Sequence, residues 1–173
     1  MTATTTLPMD IILGIPEPTR SRWQPLRAGI LNLFLYDEQV FAFHNGRLLL
    51  RGNNGTGKSM ALEVLLPYLL DAELTPSRLS TFGGSNRSMR LWLIDFDKTG
   101  ARTSERGYTW VEFGRRLPDG RCEYFSAGAM LEGTRESPVK AHYFTTAARI
   151  GVHFSVGRPG AEPLNVKPSS RGG

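Results

Sequence analysis

Residues 51–72 read RGNNGTGKSMALEVLLPYLLDA, and the fold of the chain turns on how this stretch is understood. Gly52 is followed after four residues by Gly57, Lys58 and Ser59, the P-loop spacing of glycine, lysine and hydroxyl. Glycines at 52, 55 and 57 carry no Cβ, so the backbone there is free to turn its N–H groups inward around an anion. A helix beginning at the loop adds its positive end to the same point. In that arrangement Lys58 reaches the β- and γ-phosphates of a bound polyphosphate and the Ser59 hydroxyl holds Mg²⁺.

Such a loop needs a strand before it and a helix after it, and the flanking sequence offers both. Arg47–Leu50 (RLLL) is a short apolar run preceded by Asn45–Gly46, a tight-turn dipeptide. After the loop, Ala61, Val64, Leu65, Tyr68 and Leu69 recur at helical spacing and predict one core-facing side. Pro67 predicts a kink or an end to that helix, because it removes a donor and clashes with the preceding turn.

At 173 residues the chain is the size of one ordinary domain. With 40% hydrophobic and 21% charged residues, its composition is that of a globular protein. The net charge of +5 is unevenly spread: from residue 101 onward 11 basic residues face 7 acidic ones, while the earlier part is nearly balanced. This basic late segment suits either a nucleic-acid surface or simply solvated arginine. The single cysteine, Cys122, excludes an internal disulfide and a cysteine metal cluster, and fits a reducing compartment. The first twenty residues lack a basic segment ahead of their short apolar run, and no stretch approaches a membrane span, so the expected location is cytoplasmic with no membrane partner.

The organisation expected along the chain is a flexible Thr- and Pro-rich arm over 1–22, a folded lobe over 23–157 and a disordered Pro/Gly-rich tail over 158–173. AGILNLFLYD (28–37) and QVFAFHNG (39–46) read as strands broken at Asp37 and Glu38. GYTWVEFGRR, the turn LPDG and RCEYFSAGAML predict a hairpin around Pro118–Gly120. AHYFTTAA (141–148) and IGVHFSV (150–156) suggest a further strand pair.

Hydrolysis requires more than a phosphate nest: an acid on the Mg²⁺ side and a group that positions water. LWLID (Leu91–Asp95) is the best Walker B candidate, yet Phe96 follows where an activating glutamate is wanted. LSTFGGS (79–85) echoes the signature loop of ATPase heads in interrupted form. The three histidines, His44, His142 and His153, lack metal spacing and read as partly buried and satisfied. Trp23, Trp92 and Trp110 read as core or domain-edge aromatics, and Cys122 as a small strand hydrophobe.

The run from Pro25 to Arg90 together with RGYTWVEFGRR resembles the N-terminal head segment of SMC-like ATPases. Within that group it is most similar to the large condensin-like ATPase of bacterial Wadjet plasmid-defence systems, with SbcC, a DNA-repair type, and MukB more distant. The extended NNGTGKS run and the LSTFGG segment after its helix carry the likeness. The resemblance implies an α+β lobe with a mixed, largely antiparallel β-sheet and a P-loop helix packed on it, as in the N-terminal lobe of ABC/SMC-type heads. It implies Gly52, Asn53, Asn54, Gly55, Thr56, Gly57, Lys58 and Ser59 as the loop for ATP and Mg²⁺, with Ser59 as the metal-side hydroxyl. It further implies that Walker B and the signature loop come from a C-terminal head segment or a second SMC-like head, and that double-stranded DNA is the partner. Arg78, Arg87 and Arg90 lie where such proteins place an arginine near nucleotide or DNA. A chain ending at Gly173 without a heptad coiled coil is then expected to be a truncated half-site, inactive alone and with apolar sheet edges exposed. Two alternatives stand beside this reading: a small self-sufficient P-loop kinase, and an ATP-binding interaction module that does not hydrolyse.

Overall fold

The computed structural model describes residues 15–65, 72, 88–95 and 104–152. Among the described residues two strands precede the glycine-rich loop, β1 (Gln24–Leu33) and β2 (Tyr36–Ala42); the helix α1 (Lys58–Leu65) follows it. A single π-helical turn spans Leu91–Asp95, and the remaining strands are β3 (Ser104–Arg116), β4 (Cys122–Thr134) and β5 (Lys140–Thr146). The five strands form one sheet in the order β2-β1-β3-β4-β5, and every neighbouring pair is antiparallel.

Alternation along the strands explains the sheet. Ala28 and Ile30 of β1, Val111 of β3 and Ala129 and Leu131 of β4 share one buried cluster with Met60, Ala61, Val64 and Leu65 of α1. Trp92, Leu93 and Ile94 of the π-helical turn complete that cluster. The Thr109 hydroxyl donates to the Val64 carbonyl at 3.1 Å, so β3 also satisfies a carbonyl in the last turn of α1. On the opposite face, Arg27, Gly29 and Leu31 stand beside Glu112, Trp110 and Tyr108. The indole of Trp110 fills the space that a side chain at Gly29 would need, with its Cε2 only 2.2 Å from where a Cβ would sit. The interior strand β1 is therefore buried along nearly its whole length, while the edge strand β2 is mostly exposed.

The hairpin expected around Pro118–Gly120 is present in register from Ser104↔Thr134 to Arg116↔Cys122. Gly120 sits at φ +85°, and the Leu117 carbonyl accepts its N–H at 2.9 Å. Elsewhere the elements depart from the sequence expectations. The turn between the first two strands falls at Phe34–Leu35 rather than at Asp37 and Glu38, which lie inside β2 on an edge where charge meets solvent at no cost. Arg47–Leu50 is not a ladder strand: it holds one isolated bridge, His44↔Arg47, although Leu48 and Leu50 pack on the core and Leu49 is 73% exposed. Of the last expected pair, the first member forms as β5 and pairs with β4; of the second, Gly151 and Val152 lie in a turn and 153–156 fall outside the described residues.

Within the expected arm, residues 15–22 run against the sheet, whereas 1–14 lie outside the described residues. Pro18 is buried, the Pro16 carbonyl accepts from Arg149 at 2.8 Å, and the Glu17 carboxylate accepts from Arg149 and from the Tyr124 hydroxyl. The expected tail, 158–173, is likewise outside the described residues. No helix among the described residues is long and apolar enough to cross a membrane.

Candidate functional site

The loop Gly52–Gly57 leads directly into α1, and its conformation depends on its glycines. Gly55 and Gly57 take φ of +83° and +84°, and Gly52 +154°, values that strain any residue with a Cβ. Gly57 has a second constraint: a Cβ there would lie 3.2 Å from the Tyr36 hydroxyl. At Gly55 a Cβ would meet nothing, so φ alone selects glycine. Burial pushes the Tyr36 phenol above its ordinary pKa.

Lys58 opens the helix and folds back over the loop. Its ammonium donates to the Gly52 carbonyl at 2.8 Å, to the Asn53 carbonyl at 2.5 Å and to the Thr56 hydroxyl at 3.3 Å. The Thr56 hydroxyl in turn donates to the Asn53 carbonyl at 2.9 Å, and the Ala61 N–H donates to the Gly57 carbonyl at 2.9 Å as the first helical bond. The loop is thus a closed ring of hydrogen bonds with a cation at its centre, standing at the positive end of α1.

Beside the ring lies a groove of about 380 Å³, lined by Asn54–Met60 on one side and by Phe34, Leu91 and Trp92 on the other. Phe34 adopts φ +56°, rare for an aromatic residue, and its N–H donates to the Trp92 carbonyl at 2.6 Å. That bond ties the β1–β2 turn to the π-helical turn and forms the apolar wall of the groove. No carboxylate occurs among the described residues that line it.

The structure brings together Asn54 to Ser59 of the expected loop around this groove, with Gly52 and Asn53 behind them as acceptors for Lys58. Ser59 is exposed and lines the groove. Leu91–Asp95, the Walker B candidate, is a helical turn, whereas that role calls for a strand ending in its acid; its buried middle residues anchor it to the core. Among the arginines singled out, Arg78 and Arg87 lie outside the described residues, and Arg90 donates to the Arg135 carbonyl. LSTFGGS (79–85), Tyr68, Leu69, Pro67 and His153 are also outside them. His142 is exposed rather than partly buried and bonds Glu132 at 3.2 Å on the sheet's surface; His44 is exposed too. Among the described residues no group of histidines, cysteines and carboxylates is placed to hold a metal ion.

No family model, curated protein or solved structure matches this chain.

Two features were missed from sequence. The apolar wall of Phe34, Leu91 and Trp92 has no local signature, since its parts lie far apart in the chain. The second is a buried ion network on the face opposite α1. Glu112 accepts from Arg27 at 3.1 and 2.6 Å and from Arg149 at 3.2 and 2.8 Å, and Arg27 also donates to the Ile150 carbonyl at 2.8 Å. Burial alone would raise the Glu112 pKa, but hydrogen bonds and charge from Arg27 and Arg149 outweigh it and hold the carboxyl below its usual range. A signal did exist: Arg27 in PLRAGIL and Glu112 in TWVEFG are lone charges inside strand-forming apolar runs.

Proposed function

We propose that this chain is the ATP-binding lobe, the Walker A half-site, of an SMC-like DNA-acting ATPase that hydrolyses ATP only when a C-terminal head segment completes it. The observation that carries the reading is the closed loop Gly52–Ser59, with left-handed Gly55 and Gly57, the Lys58 ammonium at its centre and a groove alongside. In this reading the backbone N–H groups of the loop and the start of α1 bind the β-phosphate. Lys58 exchanges its loop carbonyls for phosphate oxygens, keeping an ammonium on negative acceptors throughout. Mg²⁺, when bound, would neutralise charge on the phosphates, and the Ser59 hydroxyl would be the protein oxygen that holds it. A single hydroxyl suits that ion, which keeps most of its ligands as water and phosphate.

Three observations support a half-site. The described lining of the groove supplies cation and hydroxyl but no acid. Leu48 and Leu50 pack inward, and among the described residues their segment has only the His44↔Arg47 bridge, an arrangement that suits a strand completed by another segment. The described sheet is antiparallel throughout, whereas a self-sufficient nucleoside kinase is built on parallel strands joined by helices. Double-stranded DNA and a second head belong to the same proposal as its partners, and the cytoplasm as its place.

Equilibrium titration of Mg-ATP into the full chain, followed by steady-state hydrolysis, tests the reading. Binding without turnover is the expected result. No binding overturns the loop assignment, and turnover lost in Lys58→Ala overturns the half-site and returns the kinase reading to the front.

A further inference from the structure

The β3–β4 turn lies at the end of the sheet remote from the groove. Tyr108 pairs with Leu31 near the Phe34–Leu35 turn, and Arg116 closes β3 at the other end, roughly 25 Å away at the rise of an extended strand. Three chain segments meet there. The Arg116 N–H donates to the Arg20 carbonyl at 2.7 Å and sets residues 20–23 against the strand end. The Arg115 guanidinium lies 4.9 Å from the centre of the Trp23 ring, and the Phe125 ring lies 6.5 Å from it at an interplanar angle of 67°. Trp23 is 43% and Phe125 40% exposed, while Trp92 and Trp110 are 3% and 4%.

Positive charge gathers at the same place. Arg20, Arg22, Arg116 and Arg121 are exposed and Arg115 is half-buried. Asp119 pairs with Arg121 at 2.7 Å and Glu123 with Arg115 at 2.6 Å, which leaves Arg20, Arg22 and Arg116 as the surplus of the cluster. Every cation here is an arginine, whose planar fork grips phosphate and stacks on flat rings. Exposed aromatic rings amid surplus arginine are the elements of a single-strand site, in which the cations track the phosphates and unpaired bases stack on the rings. A duplex hides its base faces and would leave Trp23 and Phe125 unused. A protein interface also enriches aromatic rings and arginine, but its centre is depleted of charge overall, so a surplus of three cations around the rings suits a phosphate chain better.

We propose that this end of the sheet, built from Trp23, Phe125 and the arginines at 20, 22 and 116, binds single-stranded nucleic acid. The site does not rest on the nucleotide reading, because none of its residues lines the groove.

Titrating the full chain with a short oligothymidylate, and in parallel with a duplex of equal length, tests it by intrinsic tryptophan fluorescence and by anisotropy of the labelled strand. The expected result is quenching, since Trp23 is the exposed tryptophan, with tighter binding of the single strand. Trp23→Ala and Phe125→Ala are each expected to weaken binding on the order of tenfold. Arg20→Gln, Arg22→Gln and Arg116→Gln together change only solvent-facing groups, and should lower the slope of log affinity against log salt by about 2. Absence of binding overturns the proposal. So does duplex binding as tight as the single strand and indifferent to Trp23→Ala, or binding that the triple arginine variant leaves unchanged.

Discussion

The Lys58 ammonium lies 2.8 Å from the carbonyl oxygen of Gly52, so the side chain expected to meet a ligand is the one that closes the loop around it. Removing it takes away both the cation and the tie. Lys58→Ala is expected to weaken Mg-ATP binding by about ten- to a hundredfold, the range of one or two charge-assisted hydrogen bonds. Because α1 is anchored by Met60, Ala61, Val64 and Leu65, the thermal midpoint should hardly move. Unchanged affinity in a calorimetric titration would refute the assignment of the loop.

Gly57 and Gly55 differ in what surrounds them, and that difference is measurable. Alanine at either carries the left-handed backbone penalty of ~1–2 kcal/mol. Only at Gly57 does the new methyl also press on the Tyr36 hydroxyl, at 3.2 Å. Gly57→Ala should therefore destabilise more than Gly55→Ala, and Tyr36→Phe should recover part of the loss in the Gly57→Ala background but none in the other. Chemical denaturation of the double-mutant cycle gives the answer.

Glu112 links the fold's stability to acid. Burial opposes its charge, but Arg27 and Arg149 more than compensate, so its pKa in the fold lies below the unfolded value. A group of that kind stabilises the fold fully above the unfolded carboxylate pKa and loses its contribution as pH falls through the folded one. Glu112→Gln is expected to cost ~3–5 kcal/mol at neutral pH, since it removes the counter-charge of the buried Arg27 and one of the carboxylates paired with Arg149, which also meets Glu17. Its urea midpoints should also fall less steeply than those of the wild type below the ordinary carboxylate range. An acid limb identical in the two proteins would show that other carboxylates set it.

Gly128 separates a soft contact from a hard one. A Cβ there would lie 2.4 Å from the Phe144 ring and 2.7 Å from the Thr109 carbonyl oxygen. The ring belongs to a side chain with rotatable bonds, whereas the carbonyl is backbone of the β3–β4 ladder. Gly128→Ala should cost ~1–3 kcal/mol by overpacking, and Phe144→Ala should fail to rescue it fully. Complete rescue would show that the ring alone sets the limit.

What could be read from the residues alone was local and repetitive. The Gly52–Ser59 spacing, the helical recurrence of Ala61, Val64 and Leu65, and the alternation around Pro118–Gly120 each report a conformation that neighbouring residues impose on one another. The helix and the hairpin stand where that logic put them. The strand boundaries near Phe34 did not follow, because Asp37 and Glu38 resemble turn residues until it is known that β2 is an edge. Arg47–Leu50 has the composition of a strand, but a strand exists only with a partner to bond, and among the described residues it has a single bridge. The groove wall, the Arg27–Glu112–Arg149 network and the Trp23–Phe125 cluster join residues tens of positions apart. Such contacts arise from sheet order and register, which depend on burial summed over the whole fold and leave no periodic trace in any one segment.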